Sequence, residues 1–349
     1  MRRRSVLLAG ALAGIAGTVA AAREASAWPG PYITVAADGS GDVSTIQAAV
    51  DAVPPGNAEP FTVKIRPGTY EGQVVIPADK PHIVLRGQGP DPTAVVISDN
   101  RANGTPKPDG TTWGTSGSAS VTISGSDFSA RNLTFANTFD EAAHPEITNR
   151  QAVAVLTRAD RIVFDNVRFL ANQDTLYLNS PDAAVVSRVY LRKCHIEGDV
   201  DFIFGRATAV LDRCAIHSLE RGSATNNGYV TAASTSLPNP YGFLLSECRL
   251  TSDAPPGTVA LGRPWHPSND PDAVAEVTIR DSVLGAHIAT TPWTDFGTWP
   301  WRDARYAEYH NRGPGAAVTP DRPQLTREQA VTRTIAAYLS GSDGWDPVR

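Results

Sequence analysis

The stretch LRKCHI at residues 191–196 recurs as LDRCAI at residues 211–216 and as LSECRL at residues 245–250. Each copy reads apolar, two variable residues, a small residue, one variable residue and apolar. Looser copies start at residues 130, 164 and 279, with Leu133, Val167 and Ser282 in the small position. A constant strand pattern separated by excursions of variable length is typical of a β-solenoid, in which each coil adds one rung.

Two regions outside the repeats predict helices and end caps. Residues 44–47 (STIQ) resemble a capping box. Apolar residues then follow at helical spacing until Pro54 ends the pattern: Ile46, Ala49, Val50 and Val53. Near the C-terminus, residues 293–309 hold six aromatic side chains, and residues 326–339 predict one terminal helix. Because the open ends of a solenoid need covers, we expect a short N-terminal capping helix and a C-terminal cap of helix and loop.

The three cysteines occupy the same position of the repeat. Cys194 and Cys214 come from successive copies, and Cys248 comes from the next one. All three are therefore expected in one interior ladder, where a free cysteine packs as a small apolar residue. Adjacent parallel strands lie about 4.8 Å apart, within the Cα separation that a disulfide accepts. A bridge between Cys194 and Cys214, with Cys248 left free, is the alternative that export would permit.

The N-terminus has the pattern of an export signal. Residues 2–4 are arginines, an uncharged apolar run covers residues 6–22, and residues 25–27 (ASA) match a cleavage site. The RRSVL at residues 3–7 is similar to a twin-arginine signal. A membrane anchor is the alternative, but the run is shorter than the usual span of about 20 residues. We expect cleavage after Ala27, a secreted protein, and a single domain over residues 28–349.

The charge of the chain restricts its partners. The net charge is −5, and removal of residues 1–27, with four arginines and one glutamate, brings it to −8. Such a chain has no overall attraction for nucleic acid or anionic membranes. It would not attract a polyanionic polysaccharide at long range either, so recognition of such a substrate must be local. We expect a monomer with neither a nucleic-acid partner nor, after cleavage, a membrane partner.

Several common catalytic motifs do not occur in the sequence. It contains no G-x-S-x-G nucleophile elbow, no H-E-x-x-H or C-x-x-C metal motif and no phosphate-binding P-loop. Acids and amides instead stand among apolar residues in QAVAV (151–155), QDTLY (173–177), DFIFG (201–205) and LGRPW (261–265). Burying Asp201 within such a segment is costly without a partner, and an arginine would supply one. Taken singly, DFIF at residues 201–204 also fits a surface aspartate beside a strand, and RPW at residues 263–265 also fits a packed turn.

These four segments, together with GTYEG at residues 68–72, resemble the successive signatures of the pectin methylesterase family. All five occur in family order, and the resemblance extends over nearly the whole chain after residue 27. It is closest to the bacterial type, because residues 179–187 look like an excursion that lengthens the stretch from Asp174 to Asp201. Val155 stands where the family usually has leucine. The resemblance implies an all-β fold, a right-handed parallel β-helix.

The resemblance also implies roles for particular residues. Asp201 falls on the nucleophile, Asp174 on the general acid/base, and Arg263 on the residue that orients Asp201. Gln151 and Gln173 fall on the oxyanion donors. The aromatic side chains expected to contact sugar rings are Trp265, Tyr177 and Phe202.

The implied reaction is the hydrolysis of methyl esters of polygalacturonate (pectin), with no metal or cofactor. A polysaccharide lyase or a glycosidase on a similar β-helix is the alternative enzyme. A lyase of this kind commonly holds calcium in an aspartate cluster, which the sequence does not suggest, and a glycosidase would leave Gln151 and Gln173 without a role. A non-catalytic wall-binding protein is the third alternative, although Asp201, Asp174 and Arg263 are all present.

Overall fold

The computed structural model describes residues 30–348, so the predicted export signal at residues 1–27 lies outside the described part. Within it the chain forms 23 strands and four short helices. The strands are β1 (Tyr32–Val35), β2 (Phe61–Ile65), β3 (Gly68–Glu71), β4 (Val74–Ile76), β5 (Ile83–Gly87), β6 (Val95–Asp99), β7 (Val121–Ile123), β8 (Ser129–Asn137), β9 (Val155–Thr157), β10 (Ile162–Leu170), β11 (Leu176–Leu178), β12 (Arg188–Arg192), β13 (His195–Gly198), β14 (Val200–Gly205), β15 (Thr208–Asp212), β16 (Ala215–Ser218), β17 (Gly228–Ala233), β18 (Phe243–Ser246), β19 (Arg249–Ser252), β20 (Val259–Gly262), β21 (Glu276–Arg280), β22 (Val283–Leu284) and β23 (Arg305–Tyr309). The helices are α1 (Ile46–Ala52), α2 (Gly114–Gly117), α3 (Arg327–Ala330) and α4 (Ile335–Leu339), with 3₁₀ turns at Pro92–Ala94, Pro267–Asn269 and Trp301–Asp303.

The strands stack into a right-handed parallel β-helix, as predicted. A 16-stranded sheet has the main order β1-β2-β5-β8-β10-β12-β15-β18-β21-β23, and a second row of strands runs beside it from β3 to β22. A 7-stranded sheet, β20-β17-β14-β11-β9-β7-β4, forms the remaining face. Every pairing between these strands that we describe is parallel, and crossover connections between parallel strands of one sheet are almost always right-handed.

The repeat pattern seen in the sequence matches the register in which the strands of successive coils pair. The first apolar positions pair in the order Ala130, Phe164, Leu191, Leu211, Leu245 and Ile279. The last apolar positions pair in the order Phe135, Phe169, Ile196, Ile216, Leu250 and Leu284. These side chains are buried and form the interior of the β-helix. Each coil therefore buries like residues on like, which keeps the register from slipping.

A left-handed residue turns the chain inside every copy of the repeat. The residue before the small position has a φ between 52° and 55° in six successive coils: Asn132, Asn166, Lys193, Arg213, Glu247 and Asp281. This conformation ends one strand and starts the next at an angle, so it makes the corner between two faces. Asn132, Asn166 and Asp281 belong to the types that favour such a conformation, but Lys193, Arg213 and Glu247 do not, which is why the sequence did not reveal the corner.

The cysteines lie in one interior ladder, as predicted, but they are free thiols. Cys194, Cys214 and Cys248 are all buried and unbridged. The disulfide alternative is therefore wrong. In-register side chains point in parallel directions, which leaves Cβ atoms about 4.8 Å apart, beyond the roughly 3.5–4.5 Å of a disulfide. The thiols of Cys194 and Cys214 instead reach the carbonyl oxygens of Phe164 and Leu191 in the preceding coil, both at 3.5 Å.

The N-terminal cap forms as expected, with a different first residue. Thr45, rather than Ser44, caps α1 by accepting a hydrogen bond from the Ala48 amide. The Gln47 side chain bonds both backbone groups of Val75 instead of closing a capping box. The predicted helix is therefore present and covers the first coil.

The C-terminal cap contains two short helices where the sequence predicted one. A capping box between Thr326 and Gln329 starts α3, and Thr334 starts α4 by accepting from the Ala337 amide. Because an N-cap residue has extended backbone geometry, Thr334 breaks the helical run. Trp293 is buried against Tyr306, with ring centroids 4.2 Å apart, and closes the core.

Candidate active site

The outer surface of the 7-stranded sheet carries the acids that the sequence singled out. Asp201 lies within β14, where the register with β17 shifts between Val200 and Ile203. Asp174 lies two residues before β11, and its amide donates to the carbonyl of Val200 at 3.0 Å. Both aspartates have left-handed backbone, with φ of 68° for Asp174 and 52° for Asp201. A bulge with this conformation re-aims a side chain out of a buried strand, so the local strain places both carboxyl groups in the same groove.

Arg263 holds the Asp201 carboxylate in a planar, two-point contact. Its Nε donates to Oδ1 at 2.8 Å, and a terminal nitrogen donates to Oδ2 at 2.6 Å. The guanidinium itself lies between two aromatic rings, 3.9 Å from the centroid of Tyr229 and 4.3 Å from that of Phe296. The Arg263 amide donates to the Thr231 carbonyl, which anchors the residue just after β20. The rings and the backbone together restrict Arg263 to the orientation that the ion pair needs.

The two carboxyl groups differ in their electrostatic surroundings. Burial raises the pKa of Asp174 well above its ordinary value, and the charge of Asp201 raises it further. The charge of Arg263 opposes this rise, and Asp199 adds to it. Burial also raises the pKa of Asp201, but the hydrogen bonds and charge of Arg263 counter that effect directly. Asp174 is therefore the carboxyl group that more readily holds a proton, and Asp201 the one that more readily carries a charge.

The two glutamines lie beside the acids. Gln151 and Gln173 both line the groove, and the backbone joins their segments through a bond from the Ala152 amide to the Gln173 carbonyl at 3.1 Å. The Gln173 side chain hydrogen-bonds Asp174. The Oε1 atom of Gln151 is buried without a partner in the described part of the chain. Both residues thus place an uncharged amide beside the carboxyl groups.

An aromatic wall borders the acids. Tyr177 stacks on Phe204 with ring centroids 4.1 Å apart. Trp265 meets both rings edge-on, at 5.9 Å from Tyr177 and 5.6 Å from Phe204. These rings and the polar residues enclose a groove of about 500 Å³. The wall offers apolar faces and edges of the kind that sugar rings pack against.

Comparison with known proteins shows which family of proteins has this groove. The family model described as Pectinesterase matches residues 32–341. The chain belongs to the pectinesterase family. It is 36% identical over 314 residues to the pectinesterase of Ralstonia solanacearum, an alignment that covers 81% of this chain and 79% of that protein.

Two solved pectin methylesterases share the fold of this pectinesterase. The enzyme from Erwinia chrysanthemi matches with a TM-score of 0.80 and 32% identity over 90% of this chain and 97% of that one. A pectin methylesterase in complex with a hexasaccharide matches with a TM-score of 0.81 and 32% identity, over 90% of this chain and 98% of that one. The chain is therefore an enzyme, an ester hydrolase of the pectinesterase type.

One residue expected to contact substrate is not in the groove. Phe202 is 0% exposed and packs within the core of the β-helix, so it has no surface to offer a sugar. Phe204 lies in the groove at the position where Phe202 was expected. The strand pairing shows why, because Tyr177 pairs with Phe204, three residues after Asp174 and Asp201 respectively. Aligning QDTLY on DFIFG by their aspartates would have found Phe204 from the sequence.

Two arginines beyond the aromatic wall were not expected from the sequence. Arg158 follows Thr157, which pairs with Leu178, and Arg206 lies two residues after Phe204, which pairs with Tyr177, so both arginines lie just beyond the wall. Arg158 donates to the Ser116 hydroxyl at 2.9 Å, and Ser116 lines the groove. Neither arginine forms an ion pair with an acid within the part of the chain that the structure describes.

The described residues contain no group of three or more His, Cys, Asp or Glu side chains that could hold a metal ion. Nor does any helix within residues 30–348 have the length and apolar character needed to span a bilayer. The excursion expected at residues 179–187 is the loop between β11 and β12, and Ala183 in it accepts a hydrogen bond from the Ser236 hydroxyl. This loop begins directly after β11, beside the two arginines beyond the aromatic wall.

Proposed function

We propose that this pectinesterase removes methyl groups from methyl-esterified polygalacturonate, with Asp201 as nucleophile and Asp174 as general acid/base. The observation that carries the proposal is the unequal pair of buried carboxyl groups in one groove. Arg263 opposes the rise that burial causes in the pKa of Asp201 and so favours its charged form, whereas burial and the neighbouring charge both favour a proton on Asp174. One ionised and one protonated carboxyl group are what a two-step ester hydrolysis requires.

In the first step, the Asp201 carboxylate attacks the ester carbonyl carbon and forms a tetrahedral intermediate. The negative charge that develops on the carbonyl oxygen receives hydrogen bonds from the amides of Gln151 and Gln173. As the intermediate collapses, the bond to the methoxy oxygen breaks and Asp174 gives that oxygen its proton. The products of this step are methanol and an anhydride between Asp201 and the galacturonate.

In the second step, Asp174 is ionised and accepts a proton from water as the water attacks the anhydride carbonyl. The bond to Asp201 breaks, which restores the Asp201 carboxylate and releases galacturonic acid, whose remaining proton passes to the solvent. Asp174 is protonated again, so the cycle returns to its starting state. No step in this sequence needs a metal ion or an organic cofactor.

The polymeric, acidic nature of the substrate is supported by the surroundings of the acids. The hexasaccharide bound by a relative of the same fold indicates a groove that takes several sugars. In this chain, Trp265, Tyr177 and Phe204 would pack against pyranose rings. Arg158 and Arg206 would face free carboxylates on neighbouring sugars, which gives a net-negative protein local attraction for a polyanion.

Export and oligomeric state belong to the same proposal. The twin-arginine-like segment at residues 1–27 supports secretion, with the mature protein beginning at Trp28 and acting as a monomer on extracellular pectin. N-terminal sequencing of secreted protein and its elution volume in size-exclusion chromatography test both points. A mature protein that keeps residues 1–27 or elutes as a dimer would contradict them.

The reaction itself is tested by its products. Purified mature protein with highly methylated pectin should release methanol and acid in equal amounts, without new chain ends. A polysaccharide lyase would instead create unsaturated ends that absorb ultraviolet light, and a glycosidase would create reducing ends without methanol. Either of these outcomes would replace the proposal, and no product at all would favour a binding protein.

A further inference from the structure

Three cations stand in one row on the face of the 16-stranded sheet, away from the catalytic groove. Lys64 pairs with Arg86 across β2 and β5, and Arg86 pairs with Arg131 across β5 and β8. Their strand neighbours Val63, Leu85 and Ala130 are buried. Because side chains alternate along a strand, the three cations point outward. In-register strands place each about 4.8 Å from the next at the backbone.

The cations of this row lack ion-pair partners in the described part of the chain. None of its three cations forms an ion pair with an acid within residues 30–348. The Nζ of Lys64 lies 3.2 Å from the centroid of the Tyr32 ring. Asp165 follows Arg131 in the row, but Arg192 already holds it through hydrogen bonds of 3.0 and 2.8 Å. Like charges directly opposite one another on neighbouring strands are unfavourable, so the row lowers stability unless an anion lies across it.

The row borders a polar groove at a corner of the β-helix. The groove has a volume of about 680 Å³, and its lining includes Asn132, Asn166 and the Arg192-paired Asp165 as well as the three cations. The Asn166 amide donates to Asn132 Oδ1 at 3.1 Å, and the Asn132 amide donates to the Gly89 carbonyl at 3.0 Å. These bonds hold the floor of the groove in place, so the cations meet a fixed, hydrogen-bonding surface.

We propose that this groove is a second polysaccharide site that binds de-esterified polygalacturonate, the product of the reaction, through its free carboxylates. The inference rests on the proposed function, because it takes its ligand from it. An extended polyuronate presents carboxylates at intervals close to one sugar ring, which is comparable to the spacing of adjacent strands. Methyl-esterified sugars carry no charge and would not meet the cations. The site would therefore retain the enzyme on chains that already contain de-esterified stretches.

The test compares two variants with the same change in charge. The first replaces the row, Lys64→Gln/Arg86→Gln/Arg131→Gln. The second replaces three exposed arginines elsewhere, Arg249→Gln/Arg312→Gln/Arg327→Gln. Binding of an unesterified galacturonate oligosaccharide to the mature protein is measured by isothermal titration calorimetry at low salt. The fully methylated oligosaccharide is the uncharged control ligand, and its binding is measured with the Asp201→Asn variant so that it is not hydrolysed.

The wild type should bind the unesterified oligosaccharide at two sites. The row variant should lose one of these sites or bind there about tenfold more weakly. This size is expected because each exposed charge contact changes the affinity by roughly two- to fivefold. The matched variant should keep both, and the effect should fade as salt is raised. Unchanged binding by the row variant, or an equal loss in the matched variant, would overturn the proposal. Methanol release is measured separately: its absence would remove the proposed function, while two-site binding would still stand.

Discussion

Asp201 and Arg263 meet through two parallel hydrogen bonds, of 2.8 Å and 2.6 Å, although 62 residues separate them in the chain. The β-helix explains how this distance is closed. Asp201 lies in a bulge of β14, Arg263 follows β20, and only β17 separates the two strands in the sheet. The contact is therefore a property of the coil register.

The first prediction concerns this pair. Arg263→Lys replaces a two-point contact with a single ammonium and leaves the burial of Asp201 less opposed, so the pKa of Asp201 rises. Fewer enzyme molecules then carry the ionised nucleophile at acid pH. We expect lower kcat/KM and an acid limb of the pH–rate profile that moves up by about one pH unit. Arg192→Lys, which alters the similar pair with Asp165, should leave the profile in place. A uniform loss of activity at every pH would show that Arg263 acts in another way.

The second prediction divides the work between the carboxyl groups. Asp201→Asn should lower methanol release by about 10⁴-fold or more, because an amide cannot form the anhydride. Asp174→Asn should also be severely impaired, but less completely if water can protonate the leaving methoxide. The control is Asp212→Asn on another face, which is equally buried and can still accept the Tyr190 hydrogen bond. Substantial activity in Asp201→Asn would exclude the nucleophile role.

The sequence predicted much of this arrangement because its strongest signals are those that the β-helix repeats. The small position at Cys194, Cys214 and Cys248 marked the coils, and the pairing of Leu191 with Leu211 confirms the alignment. Such a ladder is visible in a single sequence because each coil selects the same residue type. The pairing of Asp201 with Arg263 could be expected for a different reason, since a buried carboxylate needs a partner.

Other features depend on local geometry that a residue pattern does not carry. Phe202 was expected in the groove, but the bulge at Asp201 changes which residues of β14 face outward, and Phe204 stands there instead. Cys194 and Cys214 could be placed in one ladder from the sequence, but the pattern could not show that the structure leaves them as free thiols. The corner residues, such as Lys193 and Glu247, owe their left-handed backbone to the fold and not to their own preference.

The third prediction concerns the amide donors. Gln151→Ala and Gln173→Ala should each lower kcat by about 10²- to 10³-fold with little change in KM, because the donors act on charge that develops only in the transition state. Gln324→Ala, which removes an amide bonded to the Arg322 carbonyl near the C-terminus, is the control. A rise in KM at constant kcat would mean that the glutamines bind the ground state alone.

The fourth prediction concerns the cysteine ladder. Burial raises the pKa of the Cys214 thiol well above its ordinary value, and all three thiols are buried. A thiol reagent at neutral pH should therefore label none of them in the native protein. In denaturant, without reductant, all three should react, and two should react in Cys248→Ala. A bridge between Cys194 and Cys214 would leave one reactive thiol in the denatured protein and none in that variant.

The fifth prediction concerns Arg158 and Arg206, the two arginines beside the catalytic groove, and distinguishes their role from that of the catalytic residues. Arg158→Gln and Arg206→Gln remove charges that have no acid partner in the described chain and lie beyond the Tyr177–Phe204 wall. If they bind free carboxylates next to the reacting sugar, each change should raise KM for partly de-esterified pectin by roughly two- to fivefold. The change should be smaller for highly methylated pectin, which carries few charges, and kcat should remain close to wild type. Arg249→Gln, an exposed arginine on β19, controls for net charge. Equal changes in KM on both pectins would mean that the two arginines support the groove without distinguishing acid from ester.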